Sequence, residues 1–407
     1  MRHIYLLILM ALFTSCEPTQ WLTEELIIET SCQEGGEPNL MKSPNGEIIL
    51  SWIEYLNDTT SALRYASLEG DTWSASTEIA VGDDWFVNWA DFPAMARNGS
   101  HMIGHWLAKS SAGTYDYDVT VSQSMDGGAT WSAGEVLHKD SISAEHGFVS
   151  MIPMDEGGFA LTWLDGRNTK IASETPSDEH GHGHGGAMSL RYTEIDANGQ
   201  IQPSVELDAR ICDCCQTDMA MSTNGPVVVY RDRSEKEIRD IYVTRRVDGK
   251  WYDPKPVYQD NWEIAGCPVN GPALDAMGET LIVFWYSMDD GTPVLRYSWS
   301  TDGGESFGAM RQLEVEAPLG RVDVKLIDEE HAVLVWMEQN GAEGSLIMGQ
   351  KVNADGQVFE AMPLVKSKAA RQAGFPRMVI DKDRLVLSWT NTASENTRIE
   401  TNVCQLL

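Results

Sequence analysis

Four of the seven cysteines lie in two short segments near the middle of the chain, where they could form disulfides or bind a metal ion. The segment ICDCCQT contains a Cys-x-Cys-Cys pattern, and AGCPVNGP follows further along the chain. Thiolates are ligands for soft ions such as Cu(I) and Zn(II). Adjacent cysteines rarely bond to each other, so in a disulfide arrangement the neighbouring pair would take different partners. The four residues are Cys212, Cys214, Cys215 and Cys267.

A second group of possible metal ligands is the histidine-rich segment HGHGH. Imidazoles that alternate with glycine on a flexible loop could chelate a transition metal. The same segment is also typical of a solvated, low-complexity insertion, and we favour that interpretation. His146 could join a metal site if the loop folded over the cysteines. The three histidines of the segment are His180, His182 and His184.

Four arginines lie in segments that could face a ligand. A guanidinium group makes two charge-assisted hydrogen bonds to a carboxylate, which lysine cannot imitate, so these arginines favour an anionic ligand. The alternative is that each pairs with a neighbouring aspartate and fixes its own loop. Trp89 would supply the flat apolar surface that suits a sugar ring. The candidates are Arg167, Arg231, Arg321 and Arg377.

A repeat along the chain determines where these residues lie. A hydrophobic strand ending in an aromatic residue recurs at steps of 51 to 67 residues. A short strand and a turn precede each copy, and further alternating strands follow it, which is typical of a β-propeller blade. The seven aromatic residues are Trp52, Trp106, Trp163, Tyr230, Trp285, Trp336 and Trp389.

The ends of the chain indicate how the ring closes. The seventh repeat has only three strands, and WLTEELIIET near the N-terminus would supply the fourth. Such a shared blade removes the open sheet edges of the ring. We therefore predict one all-β, seven-bladed propeller over residues 21–407, with a six-bladed ring as the alternative.

The propeller fold predicts which residues share a surface. Segments that enter the blades, and turns between second and third strands, lie on one face of a propeller. The candidate arginines, aspartates and cysteines fall in these segments, so we expect them to converge on one pocket at the central channel. The cysteines come from the entry segments of adjacent blades and should lie close together.

Two turns resemble the Asp-boxes of the sialidase (neuraminidase, BNR-repeat) superfamily. Residues 124–131, SMDGGATW, match S-x-D-x-G-x-T-W, and residues 300–307, STDGGESF, match it with Phe in place of Trp. In this motif the aspartate caps backbone N–H groups of its own turn, glycine permits positive φ, and the aromatic ring packs between strands. The resemblance implies a sialidase-like propeller.

The same resemblance implies a possible glycoside hydrolase. Sialidases hold a substrate carboxylate with three arginines and use a tyrosine nucleophile, a carboxylate that activates it and an aspartate acid/base. The first blade reads GGEPNL, without the arginine that sialidases have there. The candidates for the catalytic groups are Asp91, Asp165, Tyr230 and Asp232.

The N-terminus predicts export and a lipid anchor. An apolar run at residues 4–13 is too short to span a bilayer, and it ends at Thr14 and Ser15 directly before Cys16. This resembles a bacterial lipoprotein signal over residues 1–15, with acylation of Cys16 and a linker to residue 20. The alternative is an ordinary secretory signal. Membrane contact would be through the lipid anchor only, in the outer membrane or at the cell surface.

The predicted export would place the chain in an oxidising compartment. Such a compartment favours disulfides at the four cysteines over a Cu or Zn site. A disulfide between Cys32 and Cys404, near the two ends of the chain, is a further possibility.

The net charge of −31 excludes nucleic acid as a partner. Three hypotheses remain. The first is an envelope propeller that binds, and could hydrolyse, an anionic saccharide. The second is a metal-binding or redox-linked envelope protein. The third is a non-catalytic scaffold for protein partners.

Overall fold

The computed structural model describes residues 20–171, 186–342, 344–393 and 396–407. The predicted signal segment, the lipidation candidate Cys16 and the histidines His180, His182 and His184 lie outside the described residues. Within the described ranges, no helix is long and apolar enough to cross a membrane.

The described chain forms seven antiparallel sheets that follow one another as the blades of a propeller. This confirms the predicted seven-bladed all-β fold in place of the six-bladed alternative. The chain enters through β1 (Leu22–Glu29), which belongs to the last blade. Blade 1 contains β2 (Gly35–Lys42), β3 (Ile48–Tyr55), β4 (Ser61–Glu69), β5 (Thr72–Trp73) and β6 (Thr77–Gly82). Blade 2 contains β7 (Met95–Asn98), β8 (His101–Lys109), β9 (Tyr117–Ser124) and β10 (Glu135–Val136).

The middle blades have the same order of strands. Blade 3 contains β11 (His146–Pro153), β12 (Phe159–Asp165), the short helix α1 (Arg167–Ile171), β13 (Met188–Ile195) and β14 (Val205–Ile211). Blade 4 contains β15 (Asp218–Ser222), β16 (Gly225–Arg231), β17 (Ile241–Val247), β18 (Lys250–Trp251) and β19 (Lys255–Pro256). Blade 5 contains β20 (Ala273–Met277), β21 (Thr280–Asp289), β22 (Thr292–Ser300) and β23 (Arg311–Gln312).

The last two blades complete the ring. Blade 6 contains β24 (Pro318–Leu326), β25 (His331–Asn340), β26 (Gly344–Asn353) and β27 (Met362–Lys368). A single 3₁₀ turn, Arg371–Ala373, leads into blade 7. Blade 7 contains β28 (Arg377–Asp381), β29 (Arg384–Asn391) and β30 (Arg398–Leu406), with β1 as its outer strand.

The N-terminal strand closes the ring as predicted. Strand β1 pairs antiparallel with β30, from Leu22 opposite Leu406 to Glu29 opposite Glu400. Trp21, directly before β1, is fully buried and donates its indole N–H to the Glu360 carbonyl of blade 6 at 2.8 Å. The first and last residues of the propeller are therefore held within one blade.

The core lies between the blades. Seven clusters of buried apolar side chains each join two neighbouring blades. The aromatic residues that end the second strands are all buried, with exposures from 0 to 7%. Each second strand is covered by blades on both sides, so its side chains are apolar on both faces. The repeat seen in the sequence is thus the pattern of burial between blades.

Aspartates on the inner strands tie neighbouring blades together around the central channel. Oδ2 of Asp218 accepts the Leu274 N–H of the next blade at 2.9 Å. Asp275 and Asp323 do the same for Leu326 and Met378, at 2.8 Å each. Inner strands of different blades do not pair with each other, so these carboxylates supply acceptors for backbone donors that face the channel.

Two turns between third and fourth strands have the same internal hydrogen bonds. In the turn after β9, Asp126 Oδ1 accepts the Thr130 N–H at 2.9 Å, and Ser124 Oγ accepts the Gly128 N–H at 2.8 Å. The turn after β22 has the matching bonds from Ser306 to Asp302 and from Gly304 to Ser300. These side chains satisfy donors of their own turns and lie at the end of the propeller away from the blade entries.

Candidate functional site

The functional candidates lie at the end of the propeller where the chain enters each blade. This end, here called the loop face, consists of the segments before the first strand of each blade and the turns between second and third strands. The entry segments 83–94, 137–145, 212–217 and 257–272 bring blades 2 to 5 together there.

Three ionisable side chains form an acid–phenol cluster between blades 2 and 3, defined as Asp91, Tyr117 and Glu145. The Tyr117 hydroxyl lies 3.1 Å from Asp91 Oδ2 and 3.0 Å from Glu145 Oε1. Asp91 Oδ1 accepts the Phe148 N–H at 2.6 Å. Gly147 makes room for this carboxyl, because a Cβ at that position would lie 2.0 Å from Asp91 Oδ2.

The geometry of this cluster requires an additional proton. A phenol carries one hydrogen and donates it to one acceptor at a time, so the other carboxyl must itself be protonated to bond to the phenol oxygen. Burial raises the pKa of Asp91 to about 7. Burial and the Asp91 charge raise the pKa of Glu145 to about 8. Asp91 and Tyr117 are each 1% exposed, whereas Glu145 is half-buried at the loop face.

The four candidate cysteines lie beside this cluster. Cys212 Sγ is 3.2 Å from Cys215 Sγ, and the sulfurs of Cys212, Cys214 and Cys215 all lie within 4.8 Å of one another. Cys214 also hydrogen-bonds to Cys267, which lowers the pKa of the Cys267 thiol. The charges of Asp213 and Cys267 contribute to the raised pKa of Glu145, which indicates that the two clusters share one region of the loop face. The predicted proximity of the cysteines is therefore observed.

Charged side chains surround the cysteines. Arg239 Nη1 lies 3.2 Å from Cys212 Sγ and pairs through Nη2 with Glu237 at 2.9 Å. Arg233 pairs with Asp213 at 3.0 Å and with Glu237 at 2.8 Å. Although burial opposes it, the hydrogen bonds from neighbouring thiols and the Arg239 charge hold the pKa of Cys212 well below its ordinary value. The site thus stabilises a thiolate, which is the form that attacks disulfides and binds metals.

All six described cysteines are free thiols, so no disulfide joins the cysteine cluster or Cys32 and Cys404 in this part of the chain. For the second pair the reason is the register of blade 7. Cys404 lies opposite Glu25 on β1, whereas Cys32 follows the far end of that strand.

Two of the candidate arginines are occupied by structural partners. Arg167 pairs with Asp165 at 2.6 Å and with Asp140 at 2.8 Å. Arg231 is 1% exposed and donates to the carbonyls of Asn270 and Arg239 among others. These two side chains do not share a pocket and fit the alternative in which arginines fix loops.

The other two arginines flank a group of aromatic rings. The Arg321 guanidinium lies 4.8 Å from the ring centre of Trp89, and Arg377 lies 5.9 Å from that of Phe92. Both rings pack on Phe375. Arg321 donates to the carbonyls of Ala370 and Gly374. Arg377 Nε is ion-paired with Asp323 Oδ2 at 3.8 Å but has no hydrogen-bond partner among the described residues, and the Arg377 side chain lines a central cavity of about 450 Å³.

The remaining catalytic candidates have other hydrogen-bond partners than the acid–phenol cluster, although Asp165 lies opposite His146, the residue after Glu145. Asp165 is fully buried and accepts hydrogen bonds from Trp163 and Arg167. Tyr230 is buried in blade 4 and donates to Asp208 at 2.5 Å. Burial raises the pKa of Asp232 to about 7. Of the predicted catalytic residues, the structure therefore brings only Asp91 into contact with a tyrosine at the loop face.

Sequence reasoning missed Tyr117 and Glu145. Tyr117 is the first residue of β9, and third strands begin at the loop face. Glu145 precedes β11 and forms an isolated parallel bridge with Tyr117. The propeller topology could have identified both residues, because the start of each third strand lies beside the entry segment of the next blade.

Comparisons with known proteins support the fold. No family profile matches the chain, and no curated protein matches it. The polysaccharide lyase Uly1 matches with a TM-score of 0.53 and 10% identity, over 91% of this chain and 89% of that one. A protein of unknown function from Dyadobacter fermentans DSM 18053 matches with a TM-score of 0.51 and 14% identity, over 95% and 99%.

The α-L-arabinofuranosidase arb93a from Fusarium graminearum matches with a TM-score of 0.50 and 12% identity, over 94% of this chain and 98% of that one. Two sialidases match with TM-scores of 0.46 and 0.44. At these identities the likeness concerns the arrangement of the blades.

Proposed function

We propose that this chain binds a saccharide at its loop face and processes it with the acid–phenol cluster. The observation that carries the proposal is the hydrogen-bonded chain from the buried Asp91 through Tyr117 to the half-buried Glu145. Glycosidic bond cleavage commonly uses a positioned carboxylic acid as proton donor, a role that Glu145 would fill at the loop face. Two propellers of similar fold are a polysaccharide lyase and an α-L-arabinofuranosidase.

In the proposed mechanism, Glu145 is the group that meets the saccharide. Its carboxyl donates a proton to the glycosidic oxygen as the bond to the anomeric carbon breaks, and a water molecule adds to that carbon and releases a proton to solvent. Tyr117 and Asp91 hold the Glu145 carboxyl in place from the buried side. Asp91 is fixed by the Phe148 N–H and is therefore a positioning residue. Tyr117 is 1% exposed, so its hydroxyl acts through Glu145 until the site opens to a ligand.

The test is a panel of neutral and carboxylated polysaccharides, with binding and product release measured on the chain from residue 17, which contains every blade. Glu145→Gln and Tyr117→Phe should each lower turnover by roughly 100-fold or more, because a positioned general acid contributes about that factor. The matched control is Tyr55→Phe. Tyr55 donates to the buried Glu37 at 2.7 Å in blade 1, so it is a carboxyl–phenol pair with one carboxyl only.

Three outcomes decide the proposal. Loss of turnover in both loop-face variants, with Tyr55→Phe unchanged within about threefold, supports it. Binding of no member of the panel overturns it. Turnover that survives Glu145→Gln places the chemistry elsewhere on the propeller.

The preference for an anionic saccharide is a separate proposal, supported by Arg377. Its Nε has no hydrogen-bond partner, and its side chain lines the central cavity. Arg377→Gln should weaken binding of carboxylated glycans by roughly tenfold, the value of one charge-assisted hydrogen bond, and leave neutral glycans unaffected. Arg384→Gln, at another ion-paired arginine of blade 7, is the control. Equal losses for charged and neutral glycans would contradict the preference.

We also propose that Cys16 is acylated and anchors the chain in the cell envelope. Labelling with a radioactive fatty acid should mark the full chain and should fail in Cys16→Ser, whereas Cys32→Ser should label normally. Release of both variants into the soluble fraction would argue against a lipid anchor at this cysteine.

The cysteine cluster favours a second candidate function, binding of a thiophilic ion such as Cu(I) or Zn(II). The observation behind it is that three sulfurs lie within 4.8 Å of one another without a disulfide. Metal content by mass spectrometry and thiol titration after denaturation test it together. About one metal per chain, with the four cluster thiols reactive on its removal in addition to those of Cys32 and Cys404, supports the candidate. Absence of metal, with only the thiols of Cys32 and Cys404 reactive, would assign the four cluster cysteines to disulfides.

A further inference from the structure

A group of histidines and aspartates lies between blades 2 and 3, separate from the cysteines. It is defined here as the His–Asp cluster, which consists of Asp118, His138, Asp140 and His146. Asp118 is the second residue of β9, and His146 is the first of β11. His138 and Asp140 belong to the segment that enters blade 3. The four residues are spread over 29 positions of the chain and meet only through the topology.

The two imidazoles of this cluster are buried, and three of their four ring nitrogens have no aligned hydrogen bond among the described residues. The side chains of His138 and His146 are 2% and 0% exposed. Neither ring nitrogen of His138 has a hydrogen-bond partner, and neither has Nε2 of His146. The rings stack with their centres 3.7 Å apart. Buried polar atoms are nearly always satisfied, so these nitrogens, which have only carboxylate oxygens nearby and no aligned hydrogen bond among the described residues, are candidates for binding an ion.

One nitrogen from each ring faces the same carboxylate oxygen. His138 Nε2 and His146 Nδ1 both lie 3.6 Å from Asp118 Oδ1. Ligand atoms about 2.0 to 2.1 Å from a tetrahedral ion stand roughly 3.3 to 3.4 Å apart. Two of the three distances between the ligand atoms are thus close to that spacing, and all three atoms lie within 4.8 Å of one another.

The other nitrogen of each ring faces Asp140. Its Oδ2 lies 3.0 Å from His138 Nδ1 and 3.3 Å from His146 Nε2. A carboxylate behind a ligating histidine is the arrangement that fixes the ring and raises its basicity in metal sites. Asp140 would serve both rings in this way.

No arginine or lysine of the described residues forms an ion pair with Asp118. Arg167 pairs with Asp140 and Asp165 at 2.8 and 2.6 Å. Within the described residues, the ion-pair partners of Asp118 are the two histidines. Asp118 and His138 also line a surface cavity of about 320 Å³ with Ser110 and Lys139. An ion held by the three ligand atoms would thus have an open side towards solvent.

We propose that Asp118, His138 and His146 bind a divalent cation of hard or borderline character, such as Mn(II), Fe(II) or Zn(II), with Asp140 orienting both imidazoles. Imidazole and carboxylate ligands suit these ions, and two histidines with one carboxylate leave positions for water or a ligand. The proposal is independent of the saccharide function and of the cysteine cluster.

The competing explanation is a protonated His146. Its Nδ1 lies 3.2 Å from the carbonyl oxygens of Tyr117 and Ala144 and could donate to one of them. Its second proton would then face Asp140, and no ion would be needed. The experiment must therefore measure binding directly.

The test uses the chain from residue 17, freed of metal with a chelator, and Mn(II) as the probe, because thiolates favour softer ions. Paramagnetic resonance of free Mn(II) gives the stoichiometry and affinity. We expect about one Mn(II) per chain, with affinity lowered roughly 100-fold or more by Asp118→Asn and by His138→Gln, and about 10- to 100-fold by Asp140→Asn.

Control variants outside the His–Asp cluster show whether a loss of Mn(II) binding is specific to the cluster. Asp381 has a side-chain exposure of 19% against 23% for Asp118, and His101 is a buried histidine of the same blade. Asp381→Asn, His101→Gln and Cys212→Ser should bind Mn(II) as the parent chain does. No specific binding by the folded parent chain, or binding unchanged in Asp118→Asn, would overturn the proposal in favour of a protonated His146.

Discussion

Blades 2 and 3 are joined at the loop face by the same device as blades 5 and 6. In the first pair, Asp91 Oδ1 accepts the Phe148 N–H at 2.6 Å. In the second, Asn270 Oδ1 accepts the Arg321 N–H at 2.8 Å. Both acceptors reach a residue with positive φ, 54° for Phe148 and 53° for Arg321.

A glycine precedes the strained residue in both places. A Cβ on Gly147 would lie 2.0 Å from the Asp91 side chain, and one on Gly320 would lie 2.3 Å from that of Asn270. The two junctions differ in what the second atom of the acceptor side chain does. Asn270 Nδ2 donates to the Leu319 carbonyl at 3.2 Å, whereas Asp91 Oδ2 meets the Tyr117 hydroxyl.

The difference shows which property of the Asp91 side chain the junction requires and which property it does not. The junction requires an oxygen acceptor for one backbone N–H, and the amide of Asn270 meets that requirement without charge. The carboxyl of Asp91 therefore offers more than the junction needs, in a buried place where a charge is costly. This favours a role for Asp91 in the acid–phenol cluster, since an asparagine would serve the fold alone.

The largest expected effect is loss of stability when either glycine gains a side chain. Gly147→Ala and Gly320→Ala should each lower the free energy of unfolding by about 3 kcal/mol, because the added methyl group overlaps the acceptor side chain. Gly127→Ala is the control. Gly127 shares its positive φ, 76°, with Gly320, at 79°, but its Cβ would have no heavy atom closer than 3.9 Å.

The control should cost about 1 kcal/mol, the strain of positive φ alone. Urea denaturation of the three variants measures the difference. A loss for Gly320→Ala equal to that for Gly127→Ala would mean that backbone strain dominates at Gly320. A loss for Gly147→Ala of about 1 kcal/mol or less would mean that the close approach to the acceptor oxygen has no special weight.

A second prediction concerns variants in which the Asp91 and Asn270 side chains are each replaced by the other type, with stability measured as a function of pH. Burial raises the pKa of Asp91 to about 7, and an unfolded chain would ionise this group near its ordinary value of about 3.9. Between those values the unfolded state releases a proton that the folded state keeps, so stability falls as pH rises from about 4 to about 7 and levels off above. Asp91→Asn should remove most of that fall.

Asn270→Asp should have the opposite effect and add a comparable fall over the same pH range, since Asn270 is 8% exposed and its amide donor would be lost. Thermal unfolding of both variants from pH 4 to pH 8 gives the slopes. A slope for Asp91→Asn identical to that of the parent chain would mean that Asp91 is ionised in the folded protein.

The two junctions also show which parts of the fold and of the candidate site the sequence predicts. The fold follows from it, because the buried aromatic that ends each second strand repeats along the chain and is visible without knowledge of contacts. The cysteine cluster was equally accessible, since Cys212, Cys214 and Cys215 are neighbours in one entry segment. These are local patterns that burial or proximity along the chain imposes.

The acid–phenol and His–Asp clusters could not be read in the same way. Tyr117 and Glu145 are 28 residues apart and meet because a third strand begins beside the next blade entry. The arginines show the converse. Arg231 has the type and position of a ligand-binding residue, yet its donors go to the backbone carbonyls of Asn270, Arg239 and Tyr286. Whether a side chain joins a functional cluster or bonds to the backbone depends on the direction in which it points, and spacing along the sequence does not determine that direction.

The smallest expected effect tests whether the first junction is held from its other side. The Thr217 hydroxyl of blade 4 donates to the Phe148 carbonyl at 2.9 Å, so Phe148 is bound through its N–H to blade 2 and through its C=O to blade 4. Thr217→Val keeps the shape and removes the donor. It should cost about 1 kcal/mol, the net value of one hydrogen bond, in urea denaturation.

Thr162→Val is the matched control, because its hydroxyl donates to the Arg191 carbonyl within blade 3 and touches no junction. Both variants should lose similar stability. Only Thr217→Val should also lower activity on a glycan substrate, because it loosens the residue whose N–H positions Asp91. Equal activity in the two variants would show that Asp91 holds its position from blade 2 alone, and the proposed chain through Tyr117 to Glu145 would then need no support from blade 4.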